Sequence, residues 1–353
     1  MSAERESAGI GAERESAGIG AERDGPCPAG CEATVELRDF RFESGEVLDR
    51  LRIGYIQYGR LNAARDNLIM VLPGTSNTRL SVEGYIGPGR AFDTDRYCVV
   101  SSDSIGAGLS SQPGDGLGSA FPRYGIRDMA RAAQAMASHG LGLGDTPVAA
   151  VAGASMGAFQ ALEWAIHHPH TLRAAVLQVP AARVGQVFRQ ATRRMREMIE
   201  LDPRWCGGAY RESPLDGLRL AGRHYYAWTV TDEFLESAGE AAERDSQATG
   251  ERFAQWDAWS LIRRYEASSG HDVAVPFGGN LSQALAQVRA RVLSLPCTQD
   301  RLLGVESARQ IAAGVRDGRC AEIDSARGHM AWRAVPGSAE TDFVTRQIRG
   351  FLG

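Results

Sequence analysis

The stretch Gly153-Ala154-Ser155-Met156-Gly157 sets a serine between two glycines. The apolar run Val148-Ala149-Ala150-Val151-Ala152 precedes it, and Phe159-Gln160-Ala161-Leu162-Glu163-Trp164-Ala165 follows at helical spacing. A sharp strand-to-helix turn can lift a hydroxyl above a sheet only if the residues two places either side are small, because a Cβ there would clash. The helix N-terminus then favours negative charge developing beside the oxygen. Ser155 is the candidate nucleophile. A serine hydroxyl needs a base, and after such a turn the expected chain order is serine, acid, histidine. Asp300 lies in Cys297-Thr298-Gln299-Asp300-Arg301, just past the apolar run Val292 to Leu295, and His329 lies in Arg327-Gly328-His329-Met330, past the next strand pattern. In this order His329 takes the proton of Ser155, while Asp300 holds the imidazole tautomer and stabilises the imidazolium. Asp317 and Asp324 are the alternative acids, and His271 is the competing base; His139, His167, His168, His170 and His224 fall on helices or their ends. An oxyanion needs two preorganised donors. The expected pair is the backbone N–H of Met156 and that of Thr75, in the turn Pro73-Gly74-Thr75-Ser76-Asn77.

The elements that must carry these groups are legible as alternating patterns. Thr34 to Leu37 and Leu51 to Tyr55 alternate as half-buried antiparallel strands do. Asn67 to Leu72, Tyr97 to Val100, Val148 to Ala152 and Ala174 to Val179 are short apolar runs, as buried parallel strands are. Strand character resumes at Arg291 to Leu295 and at Cys320 to Asp324, and a helix near 338 to 352 closes the chain. Between these groups, residues 183–285 are polar, aromatic and helical in spacing. The pattern predicts an α/β core over 33–182 and 286–353, with a mostly parallel sheet covered by helices on both faces. The helical block is expected to form a lid over the C-terminal sheet edge, where open α/β sheets place their ligands. Residues 1–32 read as a flexible tail, because Ala-Glu-Arg-Glu-Ser-Ala-Gly-Ile-Gly at 3–11 recurs at 12–20 and offers no face to bury.

Composition narrows the chemistry. The 353 residues carry 39 Lys plus Arg against 43 Asp plus Glu, a formal charge of -4, so the basic footprint of a nucleic-acid binder is missing. No lysine occurs anywhere in the chain. Lysine Schiff bases, a Ser-Lys dyad and a Walker-type phosphate lysine are thereby excluded. Six scattered cysteines make no disulfide framework, which points to a reducing cytoplasm. Cys27-Pro-Ala-Gly-Cys31 has ligand-like spacing but no partner pair at zinc-finger distance, so it reads as a turn. No run approaches the roughly 18 apolar residues a membrane span needs, and the Glu- and Arg-bearing start lacks a signal-peptide core. Nucleophilic serine chemistry calls for no metal and no bound organic cofactor; the partner expected is a small acyl ester or thioester.

Several separated stretches carry a resemblance. Tyr58-Gly59-Arg60-Leu61-Asn62, Ile86-Gly87-Pro88-Gly89, Asp93 to Tyr97, Ser155-Met156-Gly157 with Gln160 to Ala165, Asp202-Pro203-Arg204-Trp205 with Gly207 to Tyr210, and Pro214 to Leu218 resemble the homoserine O-acetyltransferase group of the α/β-hydrolases. The likeness spans about 50–350 and implies the α/β-hydrolase fold with a Ser-His-Asp triad. It also implies pairing of two copies through the helical lid. Arg196 falls where that group has an arginine gripping the substrate carboxylate, although among Arg189, Arg193 and Arg194 it also reads as part of a solvated helix face. Met330 stands where the group has an aspartate that meets the substrate ammonium, and a thioether cannot pair with an ammonium. The turn Pro73 to Asn77 replaces the group's His-containing loop. With Asp103 to Gly108 and Phe121 to Tyr124, this is closer to the hydrolase relatives of the group.

Two activities fit the same residues. A serine hydrolase would pass the acyl group from Ser155 to water, and this is the leading expectation. An O-acyltransferase would pass it from acetyl-CoA or another acyl-CoA to an alcohol. A binding protein without turnover is a third class. Trp205, Trp228, Trp256 and Trp259 could line an acyl pocket, but aromatics at helical spacing more often form core.

Overall fold

The structure, a computed structural model, describes residues 30–353 and the backbone of the short strand β1 (Ala12–Glu13). Among the described residues nine strands form one sheet in the order β1-β2-β3-β5-β4-β6-β7-β8-β9. Here β2 is Cys31–Arg41, β3 Val47–Tyr58, β4 Leu68–Leu72, β5 Cys98–Ser102, β6 Ala150–Ala154, β7 Ala174–Gln178, β8 Arg291–Leu295 and β9 Gly318–Cys320. The ladders β1 to β2, β2 to β3 and β3 to β5 are antiparallel, and all those from β5 to β9 are parallel. This is the α/β-hydrolase fold. The remaining tail, including Cys27, lies outside the described residues; Cys31 is disulfide-bonded and so offers no thiolate to a metal.

Side-chain alternation explains the two-sided burial. Leu68, Met70 and Leu72 of β4 pack into one apolar cluster, with α1 (Ile126–Ala135) and α2 (Met156–His167). Ile69 and Val71 point into the other, with Val344, Ile348 and Phe351 of the closing helix α10 (Ala339–Leu352). Successive residues of a strand face opposite sides, so a strand covered on both faces must be apolar throughout.

Between β7 and β8 the chain forms α3 (Gln186–Glu200), α4 (Leu215–Thr229), α5 (Asp232–Ala238), α6 (Glu240–Ala254), α7 (Ala258–Ser269) and α8 (Leu281–Leu285). After β8 comes α9 (Glu306–Gly314). Trp205 and Trp259 are buried, their rings 4.9 Å apart, in the packing of this insertion. No helix among the described residues is long and apolar enough to cross a membrane.

Two strand boundaries differ from expectation. The β2–β3 hairpin is longer than its alternation suggested, because the polar pair Arg38 and Arg50 and then Arg41 opposite Val47 continue the ladder. The last strand lies at Gly318–Cys320 rather than 320–324. Pro296 follows β8 and has no N–H to donate, so the regular ladder ends there and Ile323 meets Cys297 only through an isolated bridge.

Candidate active site

At the C-terminal end of β6 the chain turns into α2 through Ser155, whose φ is +54°. Such a conformation is strained for a side chain with a Cβ, and the surroundings hold it. Ser155 N donates to Gln178 O at 2.9 Å, and Ser155 O accepts from Phe159 N at 3.0 Å. A Cβ on Gly157 would lie 2.1 Å from Leu72 O, and one on Gly153 would lie 2.3 Å from Gly157 C. Both contacts are with backbone that cannot move aside, so the elbow tolerates only glycine at these places.

The structure brings Ser155, His329 and Asp300 together. Ser155 Oγ lies 3.0 Å from His329 Nε2, and His329 Nδ1 lies 2.7 Å from Asp300 Oδ2. All three are buried. Asp300 follows β8, and its Oδ1 accepts from the N–H groups of Leu302 at 2.9 Å and Leu303 at 3.1 Å, which fixes the carboxylate plane. His329 lies in a short 3-10 turn, Gly328–Trp332, tied to the insertion by Thr231 Oγ1 donating to Ala326 O at 2.5 Å.

The alternative residues are elsewhere. Asp317 is exposed ahead of β9, at the opposite end of the sheet, and Asp324 is exposed beside Thr298. His271 is buried against Phe159, ring centroids 4.5 Å apart, with Nε2 donating to Ala181 O at 2.9 Å. Its burial holds its pKa below the ordinary histidine value.

The turn Pro73 to Asn77 faces Ser155 across a cavity of about 240 Å³, lined by Thr75, Ser76, Asn77, Ser155, His329 and Met330 among others. Met156 is the first residue of α2, and the N–H groups of a first turn have no acceptor in their own helix. Thr75 is held by a residue that sequence reasoning missed. Arg264 of α7 is fully buried. Its Nε donates to Thr75 O at 2.6 Å, Nη2 to Gly74 O at 2.8 Å and Asn77 O at 3.2 Å, and Nη1 to Ile105 O at 2.9 Å and Ser104 O at 3.4 Å. Among the described residues no carboxylate lies in ion-pair contact with it; its charge is met by carbonyl dipoles and by the Trp256 ring, 5.6 Å away. Burial pushes its pKa down to about 10, which leaves it cationic at neutral pH. In a trans peptide the C=O and the following N–H point in opposite directions. With the Gly74 and Thr75 carbonyls turned towards Arg264, the N–H groups of Thr75 and Ser76 are turned away from it. Gln160 of α2 braces the same turn, its Nε2 donating to Pro73 O at 3.3 Å and its Oε1 accepting from Ser104 Oγ at 2.7 Å. Nothing in the dipeptide Arg263-Arg264 distinguishes such a clamp from a solvated helix face, whereas Gln160 was within reach as part of the helix after the elbow.

Arg196 is not in the cavity, which corrects its expected grip on a substrate carboxylate. Its Nε pairs with Glu200 at 2.7 Å and its Nη1 with Glu266, and it borders a separate groove between α3 and α7. Met330 does line the cavity, as does Trp332; Trp205, Trp228, Trp256 and Trp259 do not. Among the described residues no group of three or more His, Cys, Asp or Glu could hold a metal ion.

Comparison with known proteins agrees with this architecture. The family described as alpha/beta hydrolase fold matches residues 67–319. The chain belongs to that family. It is 32% identical to a homoserine O-acetyltransferase of Mycobacterium sp. (strain KMS), covering 92% of this chain and 95% of the relative. Among solved structures, an acetylester hydrolase from Corynebacterium glutamicum superposes with a TM-score of 0.85 at 25% identity, covering 91% of this chain and 96% of that one. A homoserine O-acetyltransferase from Bacillus anthracis gives 0.81 at 26% identity, covering 92% and 98%. Within the α/β-hydrolases, this enzyme falls in the homoserine O-acetyltransferase-like group.

Proposed function

We propose that this protein is a serine-nucleophile acyl-transfer enzyme that takes an acyl group from an ester or thioester and passes it to an alcohol. The observation that carries the reading is the 3.0 Å approach of Ser155 Oγ to His329 Nε2, with Asp300 behind the ring at 2.7 Å. His329 removes the hydroxyl proton as Ser155 attacks the acyl carbonyl, and Asp300 stabilises the imidazolium that forms. The N–H groups of Met156 and Thr75 receive the oxyanion. Collapse expels the alcohol or thiol, which leaves with the proton held by His329. An acceptor then delivers its own proton to His329 and attacks acyl-Ser155, and the second collapse returns the proton to Ser155 Oγ.

Kinship with homoserine O-acetyltransferases supports an alcohol as the acceptor and an acyl-CoA as the donor. Water is the second reading. It is favoured by Met330, which lines the cavity where an ammonium-pairing aspartate would be needed, and by Arg196, which lies outside it. The insertion α3 to α8 acts as the lid that decides between them by admitting or excluding water. The test is to incubate the enzyme with acetyl-CoA, with and without L-homoserine or simple alcohols, and to quantify products by mass spectrometry. Acetyl esters of an added alcohol support transfer. Free acetate in the same amount with every acceptor overturns transfer in favour of hydrolysis.

A further inference from the structure

The Ser155 cavity is unusually rich in positive charge. Arg252 of α6, and Arg327 and Arg333 on either side of His329, all line it. Most arginines whose surroundings bring them near an acid pair with it: Arg301 meets Asp232, Arg309 meets Glu322, and Arg204 meets Asp216. Among the described residues none of the three cavity arginines makes an ion pair. Arg252 Nη2 donates only to the neutral Thr249 Oγ1, at 2.6 Å. Arg333 is half-buried, with its guanidinium 5.9 Å from the centre of the Trp332 ring. Burial foremost, then repulsion from Arg252 and Arg327, pushes the pKa of Arg333 down to about 10. Among the described residues Asp245 is the one acid on the cavity wall; it attracts Arg252 and Arg333 but lies beyond ion-pair distance of all three arginines.

Arg252 is exposed and Arg327 and Arg333 are half-buried; their like charges repel one another across the cavity, and Asp245 and Glu340, neither within ion-pair distance, do not fully offset that cost. An entering anion would. A zwitterionic amino acid would gain less, because its ammonium would find Met330 beside the base and three guanidinium groups around it.

We infer that Arg252, Arg327 and Arg333 form an anion subsite of the catalytic cavity, so that the preferred substrate carries a carboxylate or phosphate and no ammonium close to the acyl group. This rests on the reading of Ser155 as nucleophile. The anion has two possible sources: a carboxylate on the acyl chain, or phosphate on the leaving group.

Two matched pairs separate the sources by kcat/KM: p-nitrophenyl hydrogen succinate against p-nitrophenyl acetate, and acetyl-CoA against S-acetyl-N-acetylcysteamine. At least one anionic member should exceed its neutral partner about tenfold or more, by an advantage that shrinks as salt is added. In Arg333→Met, and separately in Arg327→Gln, that ratio should fall towards one, with urea unfolding confirming that each variant is folded. Ratios near one for both pairs in the parent enzyme, or variants that slow both members equally, overturn the subsite. Calorimetric titration of Ser155→Ala protein with acetyl-CoA, succinate and inorganic phosphate isolates binding from acylation. Binding that is lost in Ser155→Ala/Arg333→Met, without any acylation in the parent, would retain the subsite and sink the nucleophile. Acylation of Ser155 with no anion binding or preference would do the reverse.

Discussion

Replacing Arg264 tests whether the lid helix organises the oxyanion turn. In Arg264→Met the carbonyls of Thr75 and Ile105, now held at 2.6 and 2.9 Å, lose their donors inside the protein, and Gly74 O keeps only the Asn77 N–H at 3.3 Å. Each orphaned buried acceptor costs about 1–3 kcal/mol. Water entering the vacated space offsets part of this, which leaves about 3–5 kcal/mol, in line with other broken buried charge contacts. That is a large share of a typical stability of about 5–15 kcal/mol, so Arg264→Lys, which keeps the charge and three donors, is the companion variant. The effect on rate has a separate origin. With the Thr75 carbonyl released and Gly74 O held only by the 3.3 Å bond from Asn77 N, the Thr75 N–H gains freedom to shift, and a displacement near 1 Å costs about 10² in kcat. Complete loss of the donor costs about 10² to 10³. The loss should fall on kcat with KM little changed, because the donor acts on charge present only in the transition state. The assay is p-nitrophenyl acetate hydrolysis with burst analysis, alongside urea unfolding of each variant. Added methylguanidinium should restore part of the rate. A folded Arg264→Met enzyme with kcat within about threefold of the parent would refute the reasoning.

Other consequences follow from the same geometry. Asp300→Asn should lower kcat by about 10³ to 10⁴ while leaving the fold intact, measured by steady-state kinetics beside circular dichroism. Gly157→Ala should fail to give soluble protein, because its Cβ would lie 2.1 Å from Leu72 O; a soluble, active variant would show that the elbow can relax. His168 is half-buried with its pKa pushed down to about 4, chiefly by desolvation. The unfolded chain then binds a proton that the folded state refuses between about pH 6.5 and 4. Its contribution is fully present above about pH 6.5, and stability should decline by up to about 1.4 kcal/mol per pH unit as pH falls through that window. Urea unfolding at pH 7 and pH 5 measures this, and His168→Gln should flatten the difference.

The sequence made the elbow legible because its constraint is steric: glycines flanking Ser155 between an apolar run and a helix leave few other geometries. Asp300 and His329 could be placed because each follows a buried strand, and parallel strands deliver their following loops to one end of the sheet. Of the two readings of Arg196, the structure places it on the helix face outside the cavity, for a physical reason. Glu200 one turn on in α3 and Glu266 on the facing α7 lie within reach of its guanidinium and claim it. Arg264 and the cavity arginines were illegible because their roles depend on what is absent around them. An unpaired guanidinium cannot be told from a paired one until the chain has folded. The β2–β3 hairpin extended past its apolar core because backbone pairing continues through polar residues that periodicity ignores.

The most direct test of Ser155 as nucleophile is rapid-quench mass spectrometry with acetyl-CoA and with p-nitrophenyl acetate, followed by peptide mapping. One acetyl group should accumulate on the peptide carrying Ser155 and nowhere else, and it should be missing from Ser155→Ala and nearly so from His329→Ala. Acetylation at another residue, or undiminished turnover in Ser155→Ala, would contradict the account.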